Sequence, residues 1–276
     1  MENTQLGYNT NGFAHHTLDD AIEIIAEAGY RCVALTLDVH HCNPWTVSHR
    51  ELAALRKRLK GLGLACVIET GARYLLNPRH KHRPTLLDED ARLRRKFLAR
   101  AMDIAAELEA RCVSYWSGAR PVDGTLNDGA LLDRLARAVG ELESEAQQRN
   151  IVLGFEPEPG FFIESMADYD RLCAKVGKRL GLTLDIGHLQ CIERAAPAEI
   201  LPQYADATVN IQLDDMRKGE HRHLMFGQGE VDFPGVFEAL RLTGYKGFAC
   251  VELSESSRTA VQTAHDSYEF LRRFVP

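Results

Sequence analysis

Eight times along these 276 residues, a short apolar run rich in β-branched residues precedes a longer segment with apolar residues at i, i+3, i+4 and i+7. The short runs lie at about 5–9, 32–37, 64–69, 112–117, 151–156, 180–185, 207–213 and 247–253, and read as buried strands. Helical spacing occupies 18–29, 48–63, 90–110, 130–150, 165–177, a short stretch near 197–204, 233–244 and 260–274. Gly29, Gly63, Gly177 and Gly244 each fall just past a helix, where a left-handed residue closes the last turn. This alternation, with no Pro/Gly/Ser-rich linker to divide the chain, predicts one α/β domain over 1–276, a (β/α)8 TIM barrel. An open doubly wound sheet is the rival topology. It carries a glycine-rich phosphate turn after its first strand, and "NTNGFAHHTLDD" is not one.

Barrels of this kind do their chemistry at the C-terminal ends of the strands. Those ends read Asn9 and Asn11; Asp38, His40 and His41; Glu69; Trp116; Glu156 and Glu158; Asp185 and His188; Gln212; and Glu252. Glu156, Asp185 and Glu252 each close an apolar run ("VLGFE", "LGLTLD", "ACVE"), where an unpaired carboxylate is costly to bury. A divalent cation would remove that cost; pairing with Arg or Lys, or capping a helix, would also meet it. Carboxylates with an amide oxygen and imidazoles suit Mn²⁺, Mg²⁺ or Co²⁺, and accept Zn²⁺ if histidine joins the shell.

A formal net charge of −6 gives no field that draws the whole chain to nucleic acid or an anionic membrane. The basic clusters are local. Those at 56–58 and 92–96 ("RLRRK") read as solvated helix faces, whereas "RHKHR" at 79–83 lies in a loop and could hold the phosphate of a sugar phosphate. Seven cysteines show no Cys-x-x-Cys spacing, and Cys32, Cys66, Cys112 and Cys250 sit in strand-like runs, as buried thiols of a reducing cytoplasm would. The N-terminus lacks a charged segment followed by an apolar one, and no window reaches the roughly 18 apolar residues of a membrane span. A cytoplasmic protein without membrane contact is expected.

The motifs "GFEPEPG", "LTLDIGHL", "EHRHLMFGQGEVDF" and "GFACVELSE" together resemble the xylose-isomerase-like TIM-barrel superfamily of sugar (and sugar phosphate) isomerases and epimerases, which also contains endonuclease IV. The likeness is close over the four C-terminal strands and rests mainly on strand order before them. It implies a divalent metal, Mn²⁺ foremost with Mg²⁺, Co²⁺ or Zn²⁺ as alternatives, held at Glu156, Asp185, Gln212 and Glu252. Gln212 departs from the pattern, because histidine usually ends the seventh strand. A neutral amide oxygen is a harder ligand than imidazole and moves preference away from zinc. His188 matches an Asp-x-x-His motif and His223 the histidine before a Gly-x-Gly turn.

The resemblance implies proton transfer beside a sugar carbonyl through a metal-bound enediolate, with Glu156 and Glu252 as the proton-transfer pair. His188, Arg217 and His223 are the expected donors to that charge, and Glu158, His41 and Trp116 are further expected substrate contacts. Trp45, Tyr74 and Phe161 are candidate apolar walls along with Trp116, because the loops at 38–45 and 71–90 are long enough to line a site. Two alternatives stay open: β-elimination from a 3-keto glycoside at the same site, and a metal-free carbohydrate-binding barrel. The endonuclease branch needs several more metal-binding histidines and a basic groove, which Gln212 and the acidic balance oppose. The expected partner is a small carbohydrate, and assembly into a homo-oligomer is compatible with the chain.

Overall fold

All eight expected strands form, and they close on themselves. In this computed structural model, which describes residues 4–122, 124 and 126–275, the chain runs through β1 (Gln5–Asn9), β2 (Cys32–Thr36), β3 (Ala65–Glu69), β4 (Val113–Tyr115), β5 (Leu153–Phe155), β6 (Leu182–Asp185) and β7 (Thr208–Leu213). A hairpin of β8 (Asp215–Arg217) and β9 (Glu220–Leu224) follows, and β10 (Phe248–Val251) completes the barrel. The order around the ring is β1-β10-β7-β6-β5-β4-β3-β2, with parallel neighbours throughout. Cys32, Ala34, Val67, Cys112 and Cys250 pack into a separate apolar cluster to which no helix contributes, so it is the inside of the barrel. The cysteines are free, with these three and Cys66 buried, as their strand positions predict.

The helices are α1 (Leu18–Ala28), α2 (His49–Gly61), α3 (Arg92–Leu108), α4 (Asp128–Gln148), α5 (Met166–Val176), α6 (Ile186–Ile192), α7 (Pro197–Ile200), α8 (Phe233–Thr243) and α9 (Ala260–Leu271). Ser48 with Glu51 and Ser165 with Asp168 form capping boxes that start α2 and α5. The four glycines expected to close helices all have positive φ. Among the described residues no helix is long and apolar enough to cross a membrane.

Two elements escape the periodicity. Helix α6 is too short for its spacing to register, and it begins directly on Asp185, which caps it. The strands of the β8–β9 hairpin are mostly polar, with Met216 and Leu224 as their apolar residues, so no alternation registers. A third difference concerns Arg94, which the "RLRRK" pattern places on a solvated face. Arg94 is instead buried at 2 % exposure. Its guanidinium donates to the carbonyls of Thr70 (3.1 Å), His82 (2.8 Å) and Pro84 (2.9 Å) and lies 4.4 Å from the Trp116 ring centroid. One helix residue thus ties down the long 71–90 loop and backs the wall of the barrel mouth. Arg94→Met leaves three carbonyls without a donor, so we expect a loss of about 2–4 kcal/mol and a Tm lower by roughly 5–10 °C. Hydrogen exchange concentrated in residues 71–90 of the variant checks that the loss lies in this loop.

Candidate active site

The strand ends open on a cavity of about 330 Å³ whose lining includes Glu69, Glu156, Glu158 and Glu252. Glu69 is the last residue of β3 and Asp185 the last of β6, while Glu156 and Glu252 directly follow β5 and β10. Backbone hydrogen bonds from Glu156 N to Tyr115 O and from Glu252 N to Leu213 O, both 2.8 Å, hold the last two against neighbouring strands. Asn11 Nδ2 donates to Glu252 Oε1 at 2.8 Å, and Ser114 Oγ to Glu156 Oε2 at 3.3 Å. Among the described residues, none of these five acids has an Arg or Lys within 4.0 Å. Burial favours the protonated form of four of them: Glu69, Glu156 and Asp185 are pushed up, and Glu158 rises to about 8.

Three histidines meet this acid group. The His188 Nδ1–H donates to the Pro157 carbonyl at 3.2 Å, which leaves Nε2 with a lone pair, buried and without a partner. Burial lowers its pKa to about 3, so the ring is neutral. Its Nε2 lies 3.9 Å from Asp185 Oδ2, itself partnerless because Asp185 caps α6 through Oδ1, which accepts from His188 N at 2.8 Å. The hairpin carries His221 and His223 over this point, with ring centroids 5.0 and 6.1 Å from that of His188.

Asp214, fully buried just past β7, holds His223 through Nδ1. Burial pushes His223 down, but the Asp214 charge and hydrogen bond outweigh it and raise the ring to about 10. A Cβ at position 187 would overlap the Asp214 carboxylate, so Gly187 is what lets α6 start beside this pair. Asp215 pins the "FGQGE" turn, accepting from Gly227 N and Gly229 N at 2.8 Å and from Val231 N at 3.1 Å.

Donor atoms of Glu156, Asp185 and His188 lie within 4.8 Å of one another, and so do those of His188, His221 and His223. Two ligands on one ion, each about 2.1 Å from it, stand roughly 3–4 Å apart. Asp185 Oδ2, His188 Nε2 and Gln212 Oε1 are buried acceptors with no partner, the condition a bound cation would satisfy. The residues present fit a divalent metal.

The sequence profile of the family described as a xylose isomerase-like TIM barrel matches residues 22–274. The chain belongs to that family. The Methanocaldococcus jannaschii protein MJ1311 is 24 % identical over 280 residues, covering 97 % of this chain and 89 % of its own length. An inosose dehydratase of Lacticaseibacillus casei is 27 % identical over 146 residues, 46 % of this chain and 49 % of the dehydratase, so the match spans about half of that enzyme. A solved D-psicose 3-epimerase with D-tagatose, from Clostridium cellulolyticum, shares the fold with a TM-score of 0.78 at 14 % identity, over 98 % of this chain and 99 % of that one. The proteins this chain resembles thus include an inosose dehydratase and a D-psicose 3-epimerase.

Within this family barrel, Glu156, Glu158, Glu252, Trp116 and His223 line the cavity. Asp185 and His188 lie behind its wall beside Pro157. Gln212 is fully buried, in register with Asp185. Two expected substrate contacts stand elsewhere. Arg217 ends β8 with its side chain 54 % exposed and donates to the Gln228 carbonyl at 2.9 Å, because the hairpin turns it outward. His41 is buried with Nε2 on the His16 carbonyl at 3.0 Å, which leaves it outside the cavity. Phe161 joins Trp116 as a wall at 4.9 Å between centroids, whereas Trp45 packs on Phe97 and Tyr74 is exposed. The "RHKHR" loop splits: Lys81 and His82 line the cavity together with Arg73, and Arg79 and His80 do not.

Sequence reasoning gave no role to Asp214, reached His82 only as part of the "RHKHR" cluster, and did not place Glu69 or His221 among the site residues. The paired aspartates after an apolar strand were the available signal for Asp214, and position at a strand end was the signal for Glu69.

Proposed function

We propose that this protein is a divalent-metal-dependent isomerase or epimerase of a ketose or ketose phosphate, moving a proton on the carbon beside the carbonyl. The observation that carries this reading is that Glu156 and Glu252, arriving from β5 and β10, face one cavity beside three partnerless buried acceptors. Glu156, Asp185, Gln212 and Glu252 would hold the metal, with His188 alongside, and Mn²⁺ suits this oxygen-rich set best. When bound, the cation would act as a Lewis acid on adjacent carbonyl and hydroxyl oxygens.

The chain's own groups then do the proton work. One of Glu156 and Glu252 removes the proton and the other returns it; delivery to the opposite face epimerises, and delivery to the neighbouring carbon isomerises. His223, tied to Asp214, adds positive charge beside the developing enediolate. Lys81 and Arg73 on the same cavity would suit a phosphorylated sugar.

A second reading has its own support. Glu158, raised to about 8 by burial, holds a proton at neutral pH at the cavity wall and could deliver it to a leaving group, giving β-elimination from a keto sugar or 3-keto glycoside. The dehydratase likeness is in line with it. A screen of ketoses, ketose phosphates and 3-keto glycosides with Mn²⁺ in D₂O, followed by NMR, tests both. Exchange with an epimer or isomer supports the first reading, and eliminated product the second. Absence of exchange and product across all three classes from metal-loaded protein refutes both.

A further inference from the structure

Gln212 stands where the resemblance implies an imidazole, and a lone glutamine is a poor substitute because its amide can present either end. The structure supplies what restricts it. Glu69 on β3 and Gln212 on β7 lie four strands apart in the ring of eight, on opposite walls of the barrel. Their side chains meet in the middle: Gln212 Nε2 donates to Glu69 Oε1 at 2.6 Å, and Asn210 Nδ2 donates to the same oxygen at 3.2 Å. Glu69 Oε1 accepts from both amides, so each turns its nitrogen toward Glu69 and its oxygen away. Asn210 Oδ1 and Gln212 Oε1 are consequently left buried with no partner. Gln212 pairs in register with Asp185, whose Oδ2 is also partnerless, so the two side chains leave neighbouring strands at one level.

We propose that Glu69 is a positioning residue that orients the Gln212 amide so that Oε1 serves as a metal ligand. A metal-bound histidine commonly gives its second ring N–H to a carboxylate, which fixes the ring. Here the amide takes the place of the ring, with Nε2 on Glu69 and Oε1 free for the cation. This inference rests on the metal reading above and extends it to a residue on the far wall.

The test is Mn²⁺ binding by calorimetry to the full chain, in wild type, Glu69→Gln, Gln212→Met and the double variant, with folding checked by circular dichroism. Glu69→Gln offers a donor as well as an acceptor and no longer fixes the amide; Gln212→Met keeps the volume and removes the ligand. Each single change should weaken Mn²⁺ roughly 10–100-fold, as loss of an orienting partner does. The double variant should bind no more weakly than Gln212→Met, and both single variants should alter the Co²⁺ d–d spectrum. If Glu69→Gln weakens binding as much in the Gln212→Met background, Glu69 acts on the cation directly and the inference falls. It also falls if wild type binds Mn²⁺ and Glu69→Gln binds it equally well. If Gln212→Met does not fold, Gln212→His decides: an imidazole keeps a donor for Glu69, so affinity should hold and preference should move toward Zn²⁺, and loss of binding overturns the inference. Wild type that takes up no Mn²⁺, Co²⁺ or Zn²⁺ removes the metal reading itself, and this inference with it.

Discussion

Glu156→Gln and Glu252→Gln should each abolish solvent-deuterium exchange into the substrate while the barrel stays folded. A positioned carboxylate contributes about 10²–10⁴-fold to proton transfer, and an amide cannot take a proton at neutral pH, so the loss should fall in that range or beyond. The structure indicates why folding should survive. Ser114 Oγ donates to Glu156, and Asn11 Nδ2 donates to Glu252; a glutamine oxygen can accept either bond. Replacing an acid in a pocket that already crowds Glu69, Glu158 and Asp185 with an amide that never ionises should leave the cation-free Tm unchanged or higher. Exchange must be measured at saturating Mn²⁺, because a weakened site would otherwise mimic a lost base. Exchange retained in both variants rules out their proposed roles.

The barrel was legible because its signal is repeated: eight strands and the glycines that close helices each follow from local spacing, and an error at one position does not disturb the rest. The placement of the acids was legible because Glu156, Asp185 and Glu252 each close an apolar run, and the structure puts them at or directly after the ends of β5, β6 and β10. What could not be read was reach. Nothing in "RLRRK" separates Arg94 from its solvated neighbours, since its burial depends on three carbonyls of a loop that precedes it. Arg217 and His223 lie six residues apart on one hairpin, yet one points to solvent and the other to the cavity. That difference follows from tertiary contacts that periodicity does not encode: Asp214 holds His223, while Arg217 donates to the Gln228 carbonyl.

The cation-free protein should lose stability as pH rises from about 6.5 to 8, and a divalent metal should restore it, with a gain that grows over the same interval. The sign follows from proton binding. Glu158 moves from an ordinary 4.5 to about 8 on folding, so between those values the native state holds more protons and stability falls as pH rises. His223 moves from 6.5 to about 10, which acts in the same direction above pH 6.5. His188 and His221 are lowered to about 3 and 4 by burial, and they favour folding increasingly as pH rises toward 6.5 but contribute no slope beyond it. The opposing contributions thus end where the interval begins. Metal binding requires ionised carboxylates, so it releases the protons the native state had retained and tightens as pH rises. At a free Mn²⁺ concentration 100 times the dissociation constant, the stabilisation is about 2.7 kcal/mol, a Tm rise of roughly 5–10 °C. Thermal melts at pH 6.5, 7.25 and 8, each with EDTA and with Mn²⁺, give the answer directly. A Tm that rises with pH in EDTA would show that Glu158 and His223 do not retain protons on folding, and a metal-induced rise that shrinks toward pH 8 would show that the cation is not held by carboxylates that must ionise to bind it.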